Sequence, residues 1–141
     1  MPIDLDASFP ATTDGIVAAL QTIEDTGAAW NLGAEVIARL RIIIEELMTN
    51  TIKYGYAGEC DRPIRLGLAA TPVPTLTYED EAPPFDPTRW RPADATALPG
   101  DGPEGQAGIK MVLGLSSSAA YHTRPNGNCL VLTLGALPPH E

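Results

Sequence analysis

Glu46, Asn50 and Lys53 place a carboxylate, a carboxamide and an amine at positions i, i+4 and i+7 of one stretch. A carboxylate can take a proton from a nucleophile, and an amide oxygen can coordinate a hard cation, so the trio suits a magnesium nucleotide. Val36, Ile37, Leu40, Ile43, Ile44, Leu47 and Met48 recur around it at helical spacing, which predicts an amphipathic helix. At about 100° per residue, the apolar set centres roughly 120° from the direction of Glu46. The polar trio therefore shares a second face beside the core face. The same spacing also suits a solvated face with Glu-to-Asn or Glu-to-Lys pairing along the helix. This helix alone does not decide between the two.

Two further segments carry potential chemistry. Asp80-Glu81-Ala82-Pro83-Pro84-Phe85-Asp86-Pro87 stands at the end of a strand-like run, Leu76 to Asp80. A carboxylate there can accept a hydrogen bond from an exocyclic amine such as that of adenine. Aspartates also shape Pro-rich turns, which is the plainer use of Asp80 and Asp86. Gly105-Gln106-Ala107-Gly108-Ile109 opens an apolar helix that continues through Met111, Val112 and Leu115. Small residues let backbone N–H groups approach phosphates, and a helix N-terminus favours anions. An ordinary glycine-containing loop has the same composition.

The elements that must position these segments follow from the remaining pattern. Residues 3–9 alternate as a half-buried strand, which Pro10 is expected to end. Thr12, Thr13 and Asp14 offer N-caps for a helix carrying Ile16, Val17, Leu20 and Ile23 that fades near Gly27. The second helix is expected over about residues 33–54, closing at Gly55. Ile64 to Leu68 alternates as a second strand, and Leu76 to Asp80 makes a third. Residues 81–107 hold six prolines and three glycines, and so long an irregular segment inside a compact domain is usually functional or mobile. Two runs, Tyr121 to Arg124 and Cys129 to Leu134, flank Pro125-Asn126-Gly127-Asn128, a hairpin signal. Grouped strands and helices in this order predict an α+β two-layer sandwich of a mixed β-sheet and α-helices.

Composition narrows the function. A chain of 141 residues with 44% hydrophobic content fits one folded domain, residues 1–141. A net charge of −9 with nine scattered Lys and Arg argues against nucleic acid or an anionic membrane as the main partner. No apolar run approaches the ~18 residues of a membrane span. The first residues carry neither a basic segment nor an apolar signal core. Cys60 and Cys129 form no metal-type cluster, and reduced thiols are the default. A cytoplasmic protein is the expectation.

Together and in this order, the three segments resemble the nucleotide-binding domain of the GHKL ATPase superfamily, which includes gyrase, heat-shock chaperone, histidine kinase and MutL relatives. Within it they are most similar to the stand-alone branch of bacterial anti-sigma factors that are also serine-protein kinases, with their switch-kinase relatives. That branch carries a helix matched by Glu46-Leu47-Met48-Thr49-Asn50-Thr51-Ile52-Lys53-Tyr54-Gly55-Tyr56. Its D-D-G-x-P-F-D-P segment is matched at Asp80 to Pro87, its glycine loop at Gly105 to Ile109, and its terminal hairpin at Gly127-Asn128. The helix and the P-P-F-D-P segment are fairly specific, and the glycine loop is not.

The resemblance implies ATP and Mg2+ as cofactors and assigns roles residue by residue. Glu46 would be the general base and Asn50 the magnesium ligand. Asp80 would read the adenine amine. Ala82, Pro84 and Phe85 would line the base end, Gly105, Ala107, Gly108 and Ile109 the phosphates, with Lys53 near the phosphate end. Residues 83–104 would be the ATP lid. A family threonine that supports the adenine site falls at Asn128 or Cys129. Two departures stand out. Ala82 replaces a glycine, adding a methyl where glycine is free to take angles that alanine is not. Gln106 replaces a glycine of the phosphate loop.

The activity so implied is an ATP-dependent serine/threonine protein kinase that acts as an anti-sigma factor or switch protein. It would phosphorylate a small anti-sigma-factor antagonist and hold a sigma factor or another regulatory target. A homodimer would be in keeping with the family. The alternative is a partner-binding regulatory module with weak or vestigial nucleotide binding. With only His122 and His140 and no dimerisation helices, the ATPase half of a histidine kinase fits poorly. Gyrase-like or MutL-like work would require further domains.

Overall fold

The computed structural model describes residues 4–89 and 103–137, with side chains from residue 108 onward in the second stretch. Strand β1 spans Asp4–Ala11 and helix α1 Thr13–Ala29. Helix α2 spans Ala34–Asn50 and continues as a π-helical turn, Thr51–Gly55. Strands β2, Cys60–Ala69, and β3, Thr75–Asp80, precede helix α3, Pro103–Gly114. The hairpin of β4, Ser118–Arg124, and β5, Gly127–Thr133, completes the sheet.

The five strands lie in the order β1-β2-β3-β5-β4. The expected α+β two-layer architecture holds, with one correction to its sheet. Every neighbouring pair is antiparallel, so the sheet is not mixed. The grouping of strands and helices, on which the expectation of a mixed sheet rests, does not fix strand directions. β5 returns between β3 and β4 and runs antiparallel to both.

Alternation decides which side of the sheet is covered. Ile64, Leu66 and Leu68 of β2, Leu76 and Tyr78 of β3, and Leu130 and Leu132 of β5 point to one side and are buried. Leu40, Ile43, Ile44, Leu47 and Met48 of α2 cover them, as the helical spacing predicts. Burying each such side chain contributes about 1.5–3 kcal/mol, so this seam is the main source of stability. The opposite face carries Arg65 in a two-pronged pair with Asp6, at 2.8 and 2.6 Å.

Local chemistry explains several boundaries. Thr12 caps α1, its Oγ1 accepting from the Gly15 amide at 2.9 Å. β1 does not stop at Pro10. Pro10 pairs with Pro63 on the edge of the sheet, and a register shift carries the strand on to Ala11. α1 runs past Gly27, where a Cβ would come within 2.7 Å of Ile37. That glycine allows α1 and α2 to approach closely. The hairpin turn is Pro125-Asn126 rather than Asn-Gly, since Arg124 pairs with Gly127 and Gly127 already belongs to β5. Gly127 serves a different end. A Cβ there would stand 1.9 Å from the Asp80 carbonyl oxygen, so only glycine lets β5 pass the end of β3.

Helix α3 is fastened to α2 at its C-terminal end. Arg39 is buried and donates from Nε and Nη2 to the Leu115 carbonyl at 3.0 and 2.8 Å. A guanidinium at a helix C-terminus satisfies an orphan carbonyl and opposes the helix dipole. Glu35, one turn earlier on α2, holds the same guanidinium at 3.3 Å.

Candidate functional site

α2 stops being α-helical at Asn50, immediately after the last of its buried apolar positions. The next turn closes with Tyr56 N–H on the Thr51 carbonyl at 2.7 Å, five residues apart. Such π-turns widen the helix and often occur at functional sites. The expected α-helix to residue 54 is therefore four residues too long. Its wider last turn also breaks the phase on which Lys53 was projected. Glu46 and Asn50 are half-buried on the α-helical part, and Lys53 is exposed on the π-turn.

Thr51, the first residue of that turn, faces the sheet. Its hydroxyl donates to Asp80 Oδ2 at 2.9 Å and lies 2.6 Å from the Tyr78 hydroxyl. Tyr78 in turn donates towards the Leu47 carbonyl at 3.1 Å. Burial pushes the Tyr78 phenol well above its ordinary value, with the Asp80 charge adding to the effect, so it stays protonated and a donor. Asp80 is 7% exposed. Its Oδ1 accepts from Asn128 Nδ2 at 2.8 Å and from the Ala82 amide at 3.2 Å. Three donors thus satisfy the carboxylate, and Oδ2, with one of them, keeps acceptor capacity for a further N–H.

The segment after β3 is tied to the same group. Asn128 Nδ2 also reaches the carbonyls of Ala82 and Pro83, at 3.2 and 3.1 Å. Asn128 Oδ1 accepts from the Phe85 amide at 3.0 Å and from the Tyr121 hydroxyl. Pro84 is exposed and Phe85 half-buried. On the other flank, the Glu81 amide donates to the Tyr56 hydroxyl at 2.8 Å, and Arg62 stacks on the Tyr56 ring at 4.5 Å. Ala82 is buried, and its methyl meets the π-turn where a Cβ on Gly55 would come within 2.7 Å of it. The non-glycine residues at positive φ among those described are Asn31 and Ala57, so Ala82 carries no strained backbone. The conformational objection to alanine at this position falls away.

The third segment meets the first. Gly108 is buried, and a Cβ on it would lie 2.6 Å from Glu46 Oε2 and 3.7 Å from Asn50 Nδ2. The backbone of α3 therefore lies directly against the carboxylate and the carboxamide. Here too a boundary differs from expectation. α3 begins at Pro103, so Gly105, Ala107 and Gly108 sit within its first two turns and not in a loop before it. Proline suits the first helical turn, where its missing N–H costs nothing. Ile109 follows Gly108 into the core. Of the expected lid, residues 90–102 lie outside the described residues.

The profile of the histidine kinase-like ATPase domain matches residues 9–134, nearly the whole chain. The chain belongs to the histidine kinase-like ATPase family. The fold agrees. The crystal structure of the RsbU and RsbW domains of Rv1364c from Mycobacterium tuberculosis superimposes with a TM-score of 0.63 at 19% identity. That match covers 92% of this chain but only 31% of the other, so this chain spans about a third of that protein. No curated protein matches the sequence.

For a histidine kinase-like ATPase domain of this build, the residue-by-residue reading of the sequence gives Thr51 no role and leaves Asn128 as one of two alternatives. Thr51 is a polar residue at a position in phase with Leu47 and Met48, and that break in the apolar pattern is the signal that could have found it. Asn128 was one of two options for supporting Asp80, and register chooses between them. Asn128 pairs with Asp80 across β3 and β5, whereas Cys129 pairs with Glu79 and faces the other side. Burial raises the Cys129 thiol above its ordinary value, with Glu79 adding to the effect. Among the described residues no group of three or more His, Cys, Asp and Glu could hold a metal ion. No helix among the described residues is long and apolar enough to cross a membrane.

Proposed function

We propose that this domain binds MgATP between α2, the end of β3 and the start of α3, and transfers the γ-phosphoryl group to a serine or threonine of a partner protein. The observation that carries this reading is the contact of the Gly108 backbone with Glu46 and Asn50. It brings the Glu46 carboxylate and the Asn50 carboxamide against the first turns of α3, so that a general base, a cation ligand and a helix N-terminus would share one place. Asp80, buried and with acceptor capacity left on Oδ2, suits the exocyclic amine of adenine. These residues fit the nucleotide and its cation without an all-carboxylate metal cage, since magnesium commonly takes few protein ligands.

MgATP, when bound, supplies the phosphoryl group and neutralises part of its charge. The chain's own groups would do the rest. Glu46 would accept the hydroxyl proton as the serine oxygen attacks. The Asn50 amide oxygen would hold the cation. Gly105, in the first turn of α3, would offer a free backbone N–H to the phosphates, while Ala107, Gly108 and Ile109, whose N–H groups bond within the helix, would let its backbone lie close to them, with exposed Lys53 nearby. Ala82, Pro84 and Phe85 would border the base. Catalysis would rest mostly on positioning. The partner is a small antagonist protein of the partner-switching kind, and a sigma factor or similar target would compete for the same domain. That finer role rests on the motif resemblance at Glu46 to Tyr56 and Asp80 to Pro87.

Thermal unfolding with MgATP and MgADP, repeated on Asp80→Asn, tests the site. A ligand at about 100 times its dissociation constant adds about 2.7 kcal/mol, and the shift should shrink sharply in Asp80→Asn. No shift at millimolar nucleotide would remove the ATP reading. Phosphotransfer to candidate antagonists tests the base. Full rate in Glu46→Ala would overturn its assignment.

A further inference from the structure

Asn128 spends its whole hydrogen-bonding capacity at one junction. One carboxamide touches Asp80 Oδ1, the carbonyls of Ala82 and Pro83, the amide of Phe85 and the hydroxyl of Tyr121. Its orientation is dictated by these partners. A flipped amide would turn its oxygen on a carboxylate and two carbonyls. The group is 8% exposed, so water cannot easily replace a lost bond. The contacts belong to three separate elements: the end of β3, residues 82–85 beyond it, and the β4–β5 hairpin.

We infer that Asn128 is a positioning residue that couples the state of the Asp80 carboxylate to the backbone of residues 82–85. Asp80 makes no bond to Phe85, yet both depend on the two ends of the same planar group. A change at Asp80 Oδ1 turns the amide plane, and the turn is felt at Phe85 N–H on Oδ1. Threonine at this position can supply a hydroxyl to Asp80, but it cannot reach two carbonyls and an amide as well. The asparagine therefore adds a link that the shorter side chain lacks. A ligand at Asp80 would act through it on the segment leading out of β3, a consequence that rests on the proposed nucleotide site.

Amide hydrogen exchange, read residue by residue on the full chain, tests this link without any ligand. Asn128→Thr and Asp80→Asn are each expected to speed exchange at Phe85 about tenfold. The double variant should be no faster at Phe85 than Asn128→Thr alone, because the side-chain path from Asp80 to the Phe85 amide runs through Asn128, whereas the direct bond of Asp80 to the Ala82 amide is read at Ala82 itself. The amides of Thr77 and Leu130, inside the sheet, should hold and so separate this effect from general loosening. Unchanged exchange at Phe85 in Asp80→Asn would reduce Asn128 to a local staple and overturn the coupling. Added MgADP should slow Phe85 exchange more in the natural protein than in Asn128→Thr, where only direct cover by the base would remain. If MgADP has no effect on the natural protein while Asp80→Asn still moves Phe85, the nucleotide reading fails and the coupling stands. A nucleotide effect equal in both proteins would overturn the coupling.

Discussion

Around Asp80, a 7% exposed carboxylate is held by Thr51, Asn128 and the Ala82 amide, and these donors come from α2's π-turn, β5 and the chain just past β3. Around Glu46, a half-buried carboxylate stands on the side of α2 and faces the backbone of α3 across Gly108. The first region is part of the sheet's hydrogen-bonding and cannot move without cost to the fold. The second is a meeting of two helices in which a long side chain keeps rotamer freedom. A recognition group gains from being fixed, because a buried acceptor that does not adapt rejects the wrong donor. The proposed base would have to shift its proton during a turnover, which partial exposure would permit.

Substitutions at the two regions should therefore separate stability from activity. The largest effect is expected from Gly127→Ala. Its new Cβ would fall 1.9 Å from the Asp80 carbonyl oxygen, backbone against backbone, and neither side can yield cheaply. Chemical denaturation should show a loss of about 3 kcal/mol. A loss under about 0.5 kcal/mol would mean the Asp80 region is not rigid, and the contrast would collapse. Next comes Thr51→Val, which keeps the shape but leaves Asp80 Oδ2 and the Tyr78 hydroxyl each short of a partner. A loss of about 2 kcal/mol is expected by the same measurement.

At the other region, Gly108→Ala puts a methyl 2.6 Å from Glu46 Oε2, the far end of a flexible side chain. Stability should change by less than about 1 kcal/mol, because Glu46 can swing aside. Phosphotransfer should fall about tenfold or more, because the swing displaces the proposed base. Equal losses of stability at Gly108 and Gly127 would contradict the difference between the regions. The smallest effect is expected far from both, at Asp6. The Arg65 guanidinium holds its carboxyl below the ordinary aspartate value through a direct hydrogen bond, on the open face of the sheet. Its contribution is present above the unfolded value near 3.8 and is lost as pH falls through the lowered folded value. The melting gap between the natural protein and Asp6→Asn should be slight at neutral pH, close in acid and shrink in high salt.

Local periodicity made most of the frame legible. The apolar set of α2 proved to be its buried face, Thr12 is the N-cap of α1, and the three strands before α3 contain the alternating runs, although β1 continues to Ala11 and β2 begins four residues early at Cys60. What could not be read depended on distant residues. Nothing in Thr51-Ile52-Lys53 announces a π-turn, and the contacts made there, Gly55 against Ala82 and Thr51 on Asp80, join residues some thirty positions apart. The antiparallel sheet depends on where β5 inserts, a choice made across more than fifty residues of chain. The start of α3 was placed too late because glycines suggested a loop, whereas tertiary contact with Glu46 requires Gly108 to be small inside the helix. The site residues were legible as three motifs. Their junction through Asn128 required the β3–β5 register.

The anchoring of α3 by Arg39 has a mechanical side. The helix is pinned near Leu115 and meets Glu46 at Gly108, seven residues away, or about 10 Å along its axis. It is thus a short lever with its fulcrum at a buried guanidinium. A tilt of about 5° at that fulcrum moves the Gly108 end by about 1 Å, the scale on which misplacement of reacting groups changes rates a hundredfold. Loosening the fulcrum, remote from every reacting atom, is a way to detune the site while its residues stay intact.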